Sequence, residues 1–192
     1  QMLFYLPLSG SAFKKVYYDD IMQRAVSKFV PADDLVVPYT ATSLEDCESV
    51  IHIIRMSENE LRKKQVGGFY RDIELTPTHL IESELQEKER KLEGTARGRD
   101  DRVFTILECH VNVDLEGFED IDITNGEPTG IKLPYIVTLE EGTRKVLSVR
   151  RNYDVKDALK KRIDYFVHFK FLPGLGFYGF GLIHMIGGLS RT

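Results

Sequence analysis

Between Lys170 and Arg191 the chain runs through Phe171–Leu189, nineteen residues with no Asp, Glu, Lys or Arg, six of them glycine. Such a tract has to be covered, because soluble chains rarely expose contiguous apolar surface on this scale. Four covers compete: the chain's own core, a second copy of the chain, a dinucleotide, or lipid. The dinucleotide reading rests on Gly174-x-Gly176-x-x-Gly179, since glycines so spaced let a backbone approach a pyrophosphate at a helix N-terminus. Phe177 and Tyr178 crowd that loop, and no second strand carrying an acidic ribose ligand follows within the chain. The lipid reading rests on length, which meets the threshold of about 18–20 apolar residues. Against it, each glycine costs a helix about 1 kcal/mol and Pro173 about 3 kcal/mol, so no membrane partner is expected. The tract suits close backbone contact better, either folded inward as a glycine-kinked strand-to-helix transition or packed between copies. The candidate subunit-contact residues are Phe171, Pro173, Gly174, Gly176, Phe177, Tyr178, Gly179 and Phe180.

A chain of 192 residues holds one core or two small subdomains. With 26 basic against 30 acidic side chains its formal charge is −4, which excludes nucleic-acid binding by bulk positive charge and leaves only local contact. Cys47 and Cys109 lie far apart, with no CxxC spacing. That argues against a zinc site and a disulfide scaffold and fits a reducing compartment, with a single Cys47–Cys109 bridge left open. No basic region precedes the apolar opening, so no secretory signal is read, and the cytoplasm or a particle assembled there is expected. The Gln1 start and the apolar pattern running into Gly187–Thr192 without a helix stop point to an excerpt from a longer protein.

Residues 3–55 read as strands and turns, with β-branched and aromatic clusters at Val16–Tyr18, Leu35–Val37 and Val50–Ile54. Ser57-Glu-Asn-Glu60 is a capping box that opens a helix over Glu58–Gln65, ended by Gly67-Gly68. Residues 1–75 thus form a mostly β unit with one short helix. Thr76-Pro77 opens a charged helix over residues 76–94, laced by i,i+4 pairs such as Glu84–Lys88. Residues 95–170 are expected to be β-rich. Val103–Val113 alternates as a half-buried strand, an acidic stretch follows over Asp114–Gly130, and Ile131–Leu139 pairs with Arg144–Arg150 as a hairpin. Pro134 marks an edge strand or bulge in that hairpin. Asp154 caps a short helix to Arg162, and Ile163–Phe171 is a further strand. Residues 171–192 complete the division as a glycine-rich apolar segment leading into a truncated helix. Without regular βαβ alternation the class is α+β, with mixed or antiparallel sheets.

Side chains able to do chemistry are few. Glu108 and His110 share a strand face but lack a third ligand, so a solvated face is the better reading than a metal site. The acidic run from Asp114 to Glu127 fails as a calcium loop: Gly126 is one position late for a start at Asp120, and Ile131 stands at the twelfth position. Arg144, Lys145, Arg150 and Arg151, followed by Lys156, Lys160, Lys161 and Arg162, form the basic concentration, and the first four are candidates for DNA or partner contact. No Gly-Lys-Ser/Thr phosphate loop and no serine nucleophile elbow occur. No catalytic residue, cofactor or metal is therefore expected, and the chain is read as not an enzyme.

Phe171-Leu-Pro-Gly-Leu-Gly-Phe-Tyr-Gly179, within the run Tyr165–Arg191, resembles the portal proteins of tailed bacteriophages, especially the short-tailed ones. Gly10–Asp19, Phe29–Pro38 and Arg55–Arg62 look like the same family. The resemblance implies a ring, usually twelve-fold, at one capsid vertex, assembled in the host cytoplasm. Double-stranded DNA would be driven through it by the large subunit of a docked terminase, and head-completion or adaptor proteins and the capsid would be its other partners. It implies that this stretch is the wing with adjoining clip or stem entry, and it supplies no catalytic residues. Glycines that let neighbouring subunits pack closely fit this, and a net acidic conduit would let DNA slide without sticking.

Overall fold

The computed structural model describes residues 2–19, 23–75, 103–122, 124–174 and 176–187. The expected charged helix over residues 76–94 lies outside them. The fold is α+β. In chain order its elements are α1 (Met2–Ser9), β1 (Ser11–Asp19), β2 (Arg24–Val30), β3 (Leu35–Val36), β4 (Ser49–Ser57), α2 (Glu58–Val66), β5 (Val103–Val113), β6 (Leu133–Glu140), β7 (Val146–Arg151), β8 (Phe166–Lys170) and α3 (Leu182–Ile186). One sheet has the order β2-β1-β8, antiparallel throughout, with Phe13 opposite Val30 on one side and His168 on the other. The second sheet has the order β3-β4-β5-β6-β7.

The chain divides into two compact units that interleave along the sequence. Unit 1 comprises Gln1–His52, Cys109–Ile136 and Arg150–Thr192, and unit 2 comprises Ile53–Glu108 and Val137–Val149. The glycine-rich tract falls in unit 1, together with the N-terminal residues. In unit 1 the core is Phe13, Val30, Leu35, Cys47, Val50 and Phe177, the last drawn from that tract. Arg162 braces this core by donating to the carbonyls of Leu44 (2.8 Å) and Cys47 (2.5 Å), and both cysteines are free thiols.

Unit 2 packs Met56, Leu61, Tyr70, Phe104, Ile106 and Leu147. Ser57 caps α2 as its spacing requires, its hydroxyl accepting from Glu60 N–H at 3.3 Å. Gly67 and Gly68, the latter at φ +70°, end the helix. Buried Gln65 donates to the carbonyl of Ile73 at 2.9 Å. Glu140 is fully buried, and its carboxylate accepts from the Gly142 and Thr143 N–H groups, which fixes the β6–β7 turn.

Several sequence expectations change. Residues 2–9 are helical, not strand or turn: Pro7 removes one helical hydrogen bond, but Ser9 Oγ donates to Tyr5 O and Gly10 N–H closes on Leu6 O with φ +85°. Asp154 starts no helix. Its carboxylate accepts from Lys156 N–H, and that of Asp157 from Leu159 and Lys161 N–H, so local turns compete with the helical pattern. The last strand is correspondingly shorter, Phe166–Lys170. β5 has the expected bounds but is not half-buried, since Phe104, Thr105 and Ile106 are all buried in a strand flanked by β4 and β6. Pro134 sits in an interior strand, second from its start, where a missing donor is tolerated.

Ile106 is completely buried, so Ile106→Ala is expected to lower stability by about 3 kcal/mol through lost burial and a residual cavity. Ser57→Ala should cost about 1 kcal/mol as a lost cap. Urea denaturation followed by circular dichroism measures both, and equal small effects would contradict this assignment of the core.

Candidate functional site

The glycine-rich tract is seated by backbone against backbone. β8 delivers it beside β1, with Lys170 opposite Ser11 and Phe171 N–H donating to Gly10 O. The tract then folds back on itself through paired hydrogen bonds between Leu172 and Phe180 (2.8 and 3.3 Å). This return brings Gly179 and Gly181 onto Gly10. A β-carbon on Gly179 would lie 2.5 Å from Gly10 O and 2.8 Å from Leu172 O, and one on Gly181 would lie 2.5 Å from Gly10 N. Only glycine fits these positions, because the obstructing atoms are main chain. Gly174 is similarly closed by Tyr178 O at 2.7 Å, whereas Gly176 faces open space. Two glycines of the GxGxxG pattern thus meet the protein's own carbonyls.

One polar node holds the seat. Ser11 Oγ accepts from Gly179 N–H at 2.8 Å and lies 3.1 Å from His168 Nε2. The imidazole stacks against the rings of both Phe13 and Phe177, with centroids 4.3 and 4.8 Å away, and the two phenyl rings are themselves 6.0 Å apart. Burial, and then the Lys170 ammonium, push its pKa down to about 4, so it is neutral at neutral pH. The Ser–His pair resembles an activated nucleophile, but Ser11 is 3% exposed and its oxygen already accepts from Gly179. It is built to hold the segment rather than to meet a substrate.

The outer side of the same segment is apolar and open. Phe171, Tyr178, Phe180, Leu182, Ile183, Met185 and Ile186 are exposed, while Phe177 and Gly179 are buried. Pro173 and Gly176 are exposed and Gly174 is half-buried. α3 contacts α1, where Leu3 and Phe4 are 87% and 73% exposed and Tyr5 and Leu8 also face outward. α1 carries no charge and buries no residue, the opposite of what an amphipathic surface helix does. Together they form an apolar face in unit 1. The eight expected contact residues therefore divide into an inward set that seats the tract and an outward set that offers the face. α1 went unread in the sequence as part of this face, although its uncharged run Met2–Leu8 was a usable signal.

The basic candidates are divided between the two units. Arg144, at φ +54°, and Lys145 lie in the β6–β7 turn of unit 2, where Lys145 Nζ donates to Glu74 O. Arg150 and Arg151 are exposed at the end of β7, in unit 1. Lys160 is paired with Asp120, which that ammonium and then the Thr129 hydroxyl hold below the usual carboxylate range. His110 is not on a solvated face: it is 3% exposed, against the rings of Tyr165 and Phe166. Among the described residues no three His, Cys, Asp or Glu side chains gather as a metal would require, and no helix is long and apolar enough to cross a membrane. Searches with the sequence match no protein-family model and no curated protein.

The glycine contacts predict opposite outcomes for neighbouring substitutions. Gly179→Ala and Gly181→Ala should unseat the segment and open the buried Phe177 to chymotrypsin, whereas Gly176→Ala should leave the cleavage pattern unchanged. Limited proteolysis decides, and equal behaviour of the three variants would contradict the backbone seat.

Proposed function

We propose that the chain is part of a subunit of a phage portal-type ring, the wing with adjoining clip or stem entry. In this reading it packs copy against copy and guides double-stranded DNA through one capsid vertex. The motor is a separate terminase docked on the ring, and this region contributes shape and contact rather than catalysis. The observation that carries the reading is the apolar face of α1 and the glycine-rich segment, held in place by glycine-only contacts and too extensive to stay wet. The likeness of Phe171–Gly179 to portal sequences supports the same reading. Phe171, Tyr178 and Phe180 are then subunit contacts, and the exposed Arg144, Arg150 and Arg151 are available to phosphates or partners. The net charge of −4 is compatible with a conduit that DNA passes without sticking.

Electron microscopy of the full-length protein should show rings. Combining Phe4→Asp with Ile186→Asp, both at exposed positions, should shift sedimentation towards monomers with circular dichroism unchanged. A full-length protein that sediments only as a monomer contradicts the proposal.

A further inference from the structure

The node beneath the glycine-rich segment has a property that seating alone does not need. Gly179 N–H donates to Ser11 Oγ at 2.8 Å, and the same hydroxyl lies 3.1 Å from His168 Nε2, to which it can donate while that nitrogen is unprotonated. That arrangement requires a neutral ring with its proton on Nδ1. A proton taken from solvent onto Nε2 converts the acceptor into a second donor aimed at the same oxygen. The Ser11 hydrogen then loses its acceptor at a site 3% exposed, where an unmet donor is expensive. The new charge would also lie against two Phe rings in a half-buried site, where part of its hydration is lost.

The surroundings offer no relief. Lys170, on the same strand, donates its ammonium to Gly176 O at 3.3 Å and opposes a second positive charge on His168. β1 contributes Ser11 and two further cations, Lys14 over the ring of Phe169 and Lys15 over that of Phe166. The segment contributes Tyr178, whose phenol feels Asp33 and Cys47. Among the described residues no carboxylate is bonded to His168.

We propose that Ser11 and His168 form a proton-sensitive catch: neutral His168 holds the segment Phe171–Gly187 on β1, and charging it releases the segment with its apolar face. The catch stands on this geometry whether or not copies of the chain assemble. The sign follows from the shift. His168 titrates near its ordinary value of 6.5 when released and at about 4 when seated. Seating is therefore complete above about pH 6.5 and weakens as the pH falls towards about 4.

Hydrogen exchange of the full-length protein, read by mass spectrometry at about pH 7 and about pH 4.5 and corrected for the intrinsic rate, tests this. Peptides covering residues 171–187 should lose protection at least about tenfold at the lower pH, while those covering residues 24–30 keep theirs. His168→Gln, which keeps an acceptor but cannot charge in this range, should hold residues 171–187 protected at both pH values. Unchanged protection in the wild type, or the same loss in H168Q, or loss at residues 24–30 together with 171–187, would overturn the catch. Should H168Q not fold, NMR titration of His168 in the wild type decides. A midpoint well below 6.5 that coincides with release supports the proposal, and a midpoint at or above 6.5 overturns it.

Discussion

Three glycines in main-chain contact govern the rest of unit 1. Gly10 ends α1 and opens β1, and against it lie Gly179 and Gly181 of the returning segment, with no space for a β-carbon at any of them. Once these backbones touch, the direction of each neighbouring side chain follows. Phe177 turns into the core beside Phe13, while Tyr178 and Phe180 turn outward with α3. The same contact places α1 beside α3, so two short helices without Asp, Glu, Lys or Arg share one surface. An apolar tract that looks uniform in sequence is thereby split into a half that seats it and a half that remains available.

What holds the seat is main-chain hydrogen bonding and hydrophobic burial, with a side-chain node at Ser11 inside it. A buried hydroxyl would be costly if unmet, but Ser11 both accepts from Gly179 and faces a ring nitrogen. Stacking of His168 against two phenyl rings suits a neutral imidazole, whose burial lowers its basicity. In unit 2 the equivalent buried polar groups, Gln65 and Glu140, are satisfied by nearby main chain and serve only to fix a loop and a turn.

The sequence was most legible where the signal is local. The bounds of β5, the Ser57 cap and the β6–β7 hairpin follow from alternation, from a four-residue capping pattern and from a turn, all readable within a dozen residues. α1 was missed because an eight-residue helix containing Pro7 has little propensity of its own and is fixed by Gly10 and by packing on α3. The helix expected after Asp154 was a local reading that lost to another local force, two carboxylates bonding their own backbone. His110 looked solvated on β5 because Tyr165 and Phe166, which cover it, lie more than fifty residues away. The Ser11–His168 node joins residues 157 apart, beyond the reach of any spacing rule. The apolar tract itself was plain in the sequence, but its division into inward and outward halves was not, because that depends on Gly10.

The account comes down to whether the face of α1 and the glycine-rich segment is covered in the intact protein. Hydroxyl-radical footprinting of the full-length protein reads this directly, with the fully exposed Tyr39 as internal reference. If copies pack on this face, Phe4, Met185 and Ile186 should react far more slowly than their exposure in the isolated chain implies, while Tyr39 reacts freely. If all four react at rates matching the isolated chain, the face is bare in solution and the central claim fails.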